Sequence, residues 1–417
     1  MKHFLLNDKN SGRDAYIWNM AGSLIMAFQS VILLMILTRV VSLTESGIFT
    51  ISYANANLLL TVGKYGMRNF QVSDVRGQFT FREYQTSRWI TTLIMVIAGV
   101  FWTIYSSLVN GYSMEKTLII IWMCLFKVAD CLEDVYYGEY QKRGRLDVGA
   151  KCMTVRLVAT LAVFAVMAVI TKNLLTSLIV STVVALLLMV LLLKLTYPDF
   201  RQSDGRDMKN MFHLLWCCFP LFLGGFLSYY IGNAPKYAID RALSDELQAC
   251  YGFIAMPVFV IGLLNNFIFN PILFRMSTLW AEGKVKAFVK RTCLQMLIVF
   301  GITGFCLLVA YLFGIPVLSW MYHTDLSAYK RELLILLFGG GFLGLSGLLN
   351  TILTIMRNQK SLLVGYAVVA VIAFLLSDRI VGGYGMIGAA LLYMILMGLL
   401  CLFFLAIFVF RVFQKRK

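Results

Sequence analysis

The stretch Leu174–Leu193, LLTSLIVSTVVALLLMVLLL, decides the fold class of this chain. It contains no charged residue, and its twenty residues make a helix long enough to cross a hydrocarbon layer about 30 Å thick. Similar apolar runs lie on both sides of it, and the 417-residue chain is 60% hydrophobic and only 14% charged. Soluble domains are about a quarter charged. The sequence therefore predicts an all-α integral membrane protein with little room for a soluble domain.

The apolar runs predict about twelve transmembrane helices, arranged as two six-helix bundles over residues 1–200 and 201–417. In the first half the predicted spans are 16–41, 47–69, 89–109, 117–138, 152–171 and 174–195. In the second half they are 213–234, 250–274, 292–313, 332–356, 361–377 and 385–410. No small-residue cleavage pattern follows the first run, so we interpret it as a retained span and not as a signal peptide.

The basic residues orient these spans. With the N-terminus in the cytoplasm, the inward segments hold 28 of the 37 Lys and Arg residues and the outward segments hold eight, while Lys127 lies within a span. Such an excess on one side is typical of cytoplasmic loops. The sequence predicts a multi-pass protein of the bacterial inner membrane with both termini in the cytoplasm.

Several classes of function are disfavoured by the same patterns. The net charge of +16 lies in alternate loops and not on one face, which argues against a nucleic-acid partner. Three scattered histidines give no metal-ligand spacing, and the nine cysteines show no C-x-x-C pair. No nucleotide-binding motif is present. We expect no cofactor and no metal; H⁺ or Na⁺ coupling, the membrane potential and the substrate gradient are the possible energy sources.

The two halves contain similar stretches. Arg39-Val-Val-Ser42-Leu-Thr-Glu45 follows span one, and Arg241-Ala-Leu-Ser244-Asp-Glu246 follows span seven. Val148-Gly149 after span four likewise matches Val364-Gly365 after span ten. Parallel, pseudo-symmetric halves around a central cavity are a transporter architecture.

Charges within predicted spans need a partner, a wet cavity or a function, because a charge at the bilayer centre costs roughly 2.5–3.5 kcal/mol on insertion scales. In span four, Lys127, Asp130 and Asp134 share one helix face. One alternative is a self-compensating ladder. The other places Lys127 and Asp130 in a central cavity, where Lys127 receives an anion.

Five further positions have two interpretations. Arg39, Lys64 and Arg68 lie near span ends, where they either extend to the headgroups or, for Lys64 beside Gly63, face the cavity. In span eight, Asn266 and Asn270 share a face and either bind sugar hydroxyls or hydrogen-bond a neighbouring helix.

At the outer end of span seven, Lys236, Asp240 and Arg241 follow Pro235. A Lys236–Asp240 ion pair at an outer gate is one interpretation, and a surface pair of little consequence is the other. In span ten, the glycines from Gly339 to Gly347 predict a close helix contact.

Together the sequence resembles the bacterial polysaccharide repeat-unit flippases, a branch of the multidrug/oligosaccharidyl-lipid/polysaccharide (MOP) exporter superfamily. The resemblance covers almost the whole chain. It rests on loose patterns at Arg39–Gly47, Phe219–Asp240, Tyr251–Pro257, Phe269–Gly283, Gly314–Tyr322, Met356–Gln359 and Tyr384–Ala389.

The resemblance implies a MATE-like fold and transport of a polyprenyl-diphosphate-linked oligosaccharide to the outer leaflet by alternating access. Lys64, Arg68, Lys127, Asp130, Lys236, Asn266 and Asn270 are then the substrate-binding candidates, and Arg39, Asp240 and Arg241 the outer-gate candidates. Expected partners are membrane lipids and a glycan polymerase and glycosyltransferases of the same pathway. The alternatives are an ion-coupled multidrug exporter and a membrane enzyme such as a polysaccharide polymerase, which the short outward loops disfavour.

Overall fold

The computed structural model describes residues 1–7, 11–74, 77–200, 208–269 and 272–416; the side chains of 208, 209, 263–268, 273, 274 and 416 are not described. The helices are α1 (Lys2–Leu6), α2 (Ser11–Val40), α3 (Leu43–Lys64), α4 (Met67–Ser73), α5 (Phe81–Asn110), α6 (Met114–Lys142), α7 (Leu146–Thr171), α8 (Leu174–Thr196), α9 (Met208–Ala242), α10 (Asp245–Phe269), α11 (Leu273–Ala281), α12 (Val285–Val309), α13 (Ile315–Tyr322), α14 (Lys330–Ile355) and α15 (Gln359–Arg416). Short 3₁₀ turns follow α8 and precede α14, and a π-helical turn joins α12 to α13. The described residues contain no β-strand.

The helices follow the predicted spans with shifted ends. The second predicted span, 47–69, is wrong at its end, because α3 stops at Lys64 and two left-handed residues, Tyr65 and Gly66, turn the chain into α4. The last two spans are two helices within α15, and they meet at a kink at Gly385, with φ 59° and ψ −137°. This conformation is essentially restricted to glycine. With this division, twelve long helical passes follow the twelve predictions.

Eight described helical segments are long and apolar enough to cross a membrane. Many of their large apolar side chains lie on the outside of the molecule. Phe101, Leu108 and Phe374 are 74%, 80% and 73% exposed, respectively. A water-soluble protein rarely exposes large continuous apolar surfaces, whereas lipid solvates them at no cost. The chain is therefore a multi-pass integral membrane protein.

The chain divides into two compact units, Met1–Phe226 and Leu227–Lys417. The boundary falls within α9, and the two stretches that match in sequence have similar roles in the two units. The Ser42 side chain accepts a hydrogen bond from the Glu45 N–H (3.1 Å) at the start of α3. The Ser244 side chain accepts one from the Leu247 N–H (3.4 Å) at the start of α10. The sequence match thus marks the same helix-capping position in each unit.

Glycines allow the close packing of α14 in the second unit, as predicted. A Cβ added to Gly339 would lie 2.8 Å from the Tyr393 ring, and one added to Gly341 would lie 2.6 Å from the Thr303 side chain. The contact holds at Gly339–Gly341 but not at Gly347, where a Cβ would meet nothing within 4 Å. These small residues let α14 approach α12 and α15 closely.

Candidate functional site

Helix α6 carries several of the buried charged side chains of the first unit. Ser113 caps its first turn, since its hydroxyl accepts the Lys116 N–H at 3.1 Å, and the helix then runs without interruption to Lys142. Lys127, Asp130, Glu133 and Asp134 are all buried in it. Four buried charges within about 11 Å of helix need partners from neighbouring helices, and those partners form two clusters.

The first, which we call the deep cluster, consists of Lys127, Asp130, Glu133 and Arg156. The Lys127 ammonium donates to Asp130 Oδ2 (3.2 Å) and to Gln29 Oε1 (3.0 Å), and it lies 4.6 Å from the centre of the Tyr53 ring. Lys127 and Asp130 therefore pair with one another inside the helix bundle, and Glu133 is buried with them.

Arg156 completes the deep cluster from α7. Its Nε donates to Glu133 Oε2 at 2.7 Å, and its Nη2 contacts both Asp130 and Glu133 at 2.5 Å. Tyr137 donates a further hydrogen bond to Glu133 at 2.8 Å. Two cations thus balance two carboxylates, all nearly inaccessible to solvent. The deep cluster is electrically neutral and closed, so it holds helices together and offers no unpaired charge to a ligand.

The second, which we call the Asp134 cluster, is positively charged and partly open. Arg88, fully buried on α5, binds Asp134 Oδ2 at 2.8 Å. Lys64 and Arg68 lie farther away, at 3.9 Å and 3.7 Å from Asp134 Oδ1, and their side chains are 29% and 28% exposed. Three cations therefore surround one carboxylate, and the most buried cation already neutralises it. Lys64 and Arg68 retain charge for an anion.

These two side chains line a cavity of about 410 Å³ in the first unit. Its wall combines the two cations with amide side chains and the start of α4. The lining residues are Asn19, Lys64, Gly66, Met67, Arg68, Asn69, Asp134, Gln141 and Leu146. Arg68 donates to the Gln141 amide oxygen at 3.0 Å, which orients its guanidinium. Guanidinium, ammonium and amide groups together suit phosphate and hydroxyl oxygens.

The backbone turn after α3 builds this cavity. Gly63 permits a close approach, as the sequence predicted: its carbonyl accepts hydrogen bonds of 2.7 Å from both Arg88 and Thr91. A Cβ at Gly63 would lie 2.6 Å from the Cys131 sulfur. Gly66, at φ 64°, then reverses the chain and places Lys64 and Arg68 on the same cavity wall.

Lys236, Arg39 and Arg241 do not line this cavity. Lys236 on α9 is partly buried, and the described part of the chain gives it no ion pair or hydrogen bond. Arg39 is exposed at the end of α2. In place of the expected Lys236–Asp240 pair, Arg241 binds Asp378 at 2.6 Å, with both side chains at least one-third exposed. The Asn266 side chain and the whole of Asn270 lie outside the described residues.

Two residues that matter here, Arg88 and Arg156, were missed because we counted them as loop cations. Thr80 and Glu83 form a capping box that starts α5 at Phe81. That T-x-x-E signal was readable in the sequence and would have placed Arg88 two turns inside the helix. Arg156 already lies within the predicted span 152–171, although no side-chain cap marks the start of α7.

No group of three or more His, Cys, Asp or Glu side chains within the described ranges is placed to hold a metal ion. The arrangement also lacks a paired nucleophile and base at the cavity. The Asp134 cluster can therefore bind a ligand through charge, because it holds two partly exposed cations beside buried neighbours.

The comparisons with known proteins agree on the fold. No protein-family model matches the chain. The capsular polysaccharide biosynthesis protein CapF of Staphylococcus aureus is 22% identical over 321 residues, which are 74% of this chain and 78% of CapF.

Three solved structures match over nearly the full length. A multidrug resistance MATE transporter in an inward-facing conformation has a TM-score of 0.66 and 11% identity, with 94% of this chain and 95% of that chain covered. The lipid II flippase MurJ has a TM-score of 0.64 and 13% identity, with 95% of this chain and 90% of that chain covered. The Vibrio cholerae MATE transporter VcmN has a TM-score of 0.60 and 11% identity, with 97% of each chain covered. The chain therefore has the fold of the MOP superfamily.

Proposed function

We propose that this protein is a transporter that moves a polyprenyl-diphosphate-linked oligosaccharide from the cytoplasmic to the outer leaflet of the bacterial cell membrane. Its fold is shared by multidrug transporters and by a lipid II flippase. Its sequence is similar to that of a capsular polysaccharide biosynthesis protein. Both similarities support a transport role in the assembly of a surface polysaccharide.

The observation that carries the proposal is the charge of the Asp134 cluster. Its acid is held at 2.8 Å by the buried Arg88, whereas Lys64 and Arg68 stay partly exposed on the cavity wall. A diphosphate leaves water only where cations replace its hydration, and Lys and Arg do so with charge-assisted hydrogen bonds. Amide groups such as Gln141 suit the sugar hydroxyls, and the polyprenyl chain can remain in lipid.

The fold alone is equally consistent with an exporter of cationic drugs. Such a substrate needs an available carboxylate, but the acids of α6 that contact α5 and α7 are bound by Arg88 and Arg156. This pairing favours an anionic substrate. A polymerase would need a catalytic group, and the cavity residues of the first unit supply none of the usual combinations.

Energy for this transport follows from the charge of the substrate. With the cell interior negative, each negative charge moved outward gains about 2.3 kcal/mol per 100 mV. In our proposal the membrane potential assists outward movement by alternating access. The proposal also includes cytoplasmic termini, coupling to H⁺ or Na⁺, and cooperation with a glycan polymerase and glycosyltransferases.

The test is a double substitution, Lys64→Gln with Arg68→Gln, in a strain whose surface polysaccharide depends on this gene. Both side chains are partly exposed and Arg88 keeps its bond to Asp134, so we expect normal insertion into the membrane. We expect at least a tenfold loss of surface glycan and accumulation of lipid-linked oligosaccharide facing the cytoplasm. Arg82→Gln, which removes an exposed cation of the same predicted inner side, is the matched control. Normal surface glycan in the double variant would contradict the proposal.

A further inference from the structure

A second cavity, in the second unit, is distinct from the Asp134 cluster. It has a volume of about 380 Å³ and lies between the start and the end of α15. One end of its lining is polar, and the other is apolar. The lining residues are Asn358, Ser361, Phe403, Ala406, Ile407, Phe410, Arg411 and Gln414.

The polar end is built around Asn358, which is only 5% exposed. Its side-chain oxygen accepts hydrogen bonds from Arg411 (2.9 Å) and from the Ser361 hydroxyl (3.1 Å). Because Arg411 is only a donor, the atom facing it must be the oxygen, which fixes the orientation of the amide. The Asn358 Nδ2 is left without a hydrogen-bond partner among the described residues. A buried donor without an acceptor is unfavourable, so an acceptor bound here would be stabilising.

The charge around this end is positive. Arg411 is exposed and hydrogen-bonds only to the neutral amides of Asn358 and Gln414 within the described residues. Arg357 and Lys360 flank Asn358 and are exposed. The sequence contains no Asp or Glu at 356–366 or 400–417. An anionic oxygen group fits this site, because it can accept hydrogen bonds from both the unpartnered amide and the guanidinium, whose charge is not neutralised.

The apolar end indicates what that group is attached to. Phe403, Ile407 and Phe410 form the wall within about two helical turns before Arg411, and Phe403 is about 12 Å from it along the helix axis. Arg411 lies just beyond the predicted inner end of the last span. In the predicted topology, the cavity runs from the level of the lipid headgroups of the inner leaflet into its acyl chains. The inner leaflet is the one with anionic lipids in most membranes.

We propose that this cavity binds one anionic phospholipid of the inner leaflet. Its phosphate accepts hydrogen bonds from Arg411 and the Asn358 Nδ2, and an acyl chain lies along Phe403, Ile407 and Phe410. This site does not depend on the transport function proposed above.

Native mass spectrometry of the purified full-length protein tests the proposal, with equimolar phosphatidylglycerol and phosphatidylcholine of identical acyl chains. We expect preferential retention of one phosphatidylglycerol by the unsubstituted protein. Asn358→Asp keeps the acceptor for Arg411 but replaces the free donor with a negative charge. This substitution and Arg411→Gln should each weaken phosphatidylglycerol binding about tenfold or more. Lys286→Gln, which removes an exposed cation elsewhere on the predicted inner side, should leave it unchanged.

Equal retention of the two lipids, or equal phosphatidylglycerol binding by all variants, would overturn the proposal. Inorganic phosphate distinguishes a soluble anion from a lipid. Competition by millimolar inorganic phosphate with no preference for phosphatidylglycerol would show an anion site and would also overturn it. Thermal unfolding of each variant in detergent without lipid should match the unsubstituted protein, which separates loss of binding from loss of folding.

Discussion

At the scale of single residues, the two arginines on α5 and α7 determine what the acids of α6 can do. Arg156 contacts Asp130 and Glu133, and Arg88 contacts Asp134. Removal of one partner from a buried ion pair leaves an uncompensated charge in a medium that cannot solvate it. The same pairing keeps the carboxylates from attracting cations and leaves Lys64 and Arg68 as the accessible charges of the first unit's cavity.

We expect Arg156→Gln to destabilise the protein by about 3–5 kcal/mol, because Asp130 and Glu133 lose their shared cation. Thermal unfolding of purified protein in detergent measures this as a lower midpoint. Adding Glu133→Gln to Arg156→Gln should recover part of the loss, since one uncompensated charge is removed. Arg82→Gln, at an exposed position, should change stability by less than about 0.5 kcal/mol. Unchanged unfolding of the Arg156→Gln variant would refute the structural role of the deep cluster.

The sequence alone predicted part of this cavity. Lys64 and Arg68 were identified because charges near span ends stand out against apolar residues, and both line it. The two left-handed residues after Lys64 and the neighbouring helices decide whether these side chains face lipid or a cavity. The lengths of the apolar runs carry no information on either feature. Lys127 stood out equally well, but the residues that complete its cluster from other helices, Gln29 and Arg156, are distant in sequence.

At the scale of elements, the number and order of helices followed from apolar run length, whereas helix ends did not. Helices α5 and α7 begin at Phe81 and Leu146, eight and six residues before the predicted spans. Hydropathy indicates which part of a helix lies in lipid, whereas capping boxes and left-handed glycines indicate its first and last residues. The break at Gly385 lies at the predicted start of the last span, and it is a kink between two helices.

A matched pair of glycines tests the packing of α14. Gly341→Ala places a Cβ 2.6 Å from the Thr303 side chain, and we expect a loss of about 1–3 kcal/mol through overpacking. Gly347→Ala on the same helix meets nothing within 4 Å, so it should be neutral or stabilise by up to about 1 kcal/mol through helix propensity. Thermal unfolding in detergent compares the two. Equal effects of both substitutions would show that α14 does not pack through Gly341.

At the scale of the whole molecule, the distribution of basic residues predicts which loops face the cytoplasm. Met114, at the start of α6, lies on the predicted outer side and is 75% exposed. The Lys284 side chain lies on the predicted inner side and is 64% exposed. In a cysteine-free background that inserts normally, a membrane-impermeant thiol reagent should label Met114→Cys in intact cells and Lys284→Cys only after permeabilisation. The reverse pattern would invert the topology and the direction of transport.

The serine caps of α3 and α10 occupy matching positions in the two units. The charges, however, are not repeated. The described ion pairs among buried residues belong to the first unit, whereas the described pairs of the second unit lie at its surface. We therefore propose that the anionic group of the transport substrate is recognised in the first unit.

Reconstituted vesicles give the most direct test of this account. The purified protein is placed in liposomes that contain a fluorescent polyprenyl-diphosphate oligosaccharide, and an impermeant quencher reports how fast the label crosses the bilayer. We predict rapid crossing with the unsubstituted protein, at least tenfold slower crossing with the Lys64→Gln, Arg68→Gln double variant, and an unchanged rate with Arg82→Gln. Crossing at the same rate in protein-free liposomes, or in the double variant, would contradict the central claim that exposed cations beside Asp134 carry an anionic lipid-linked glycan.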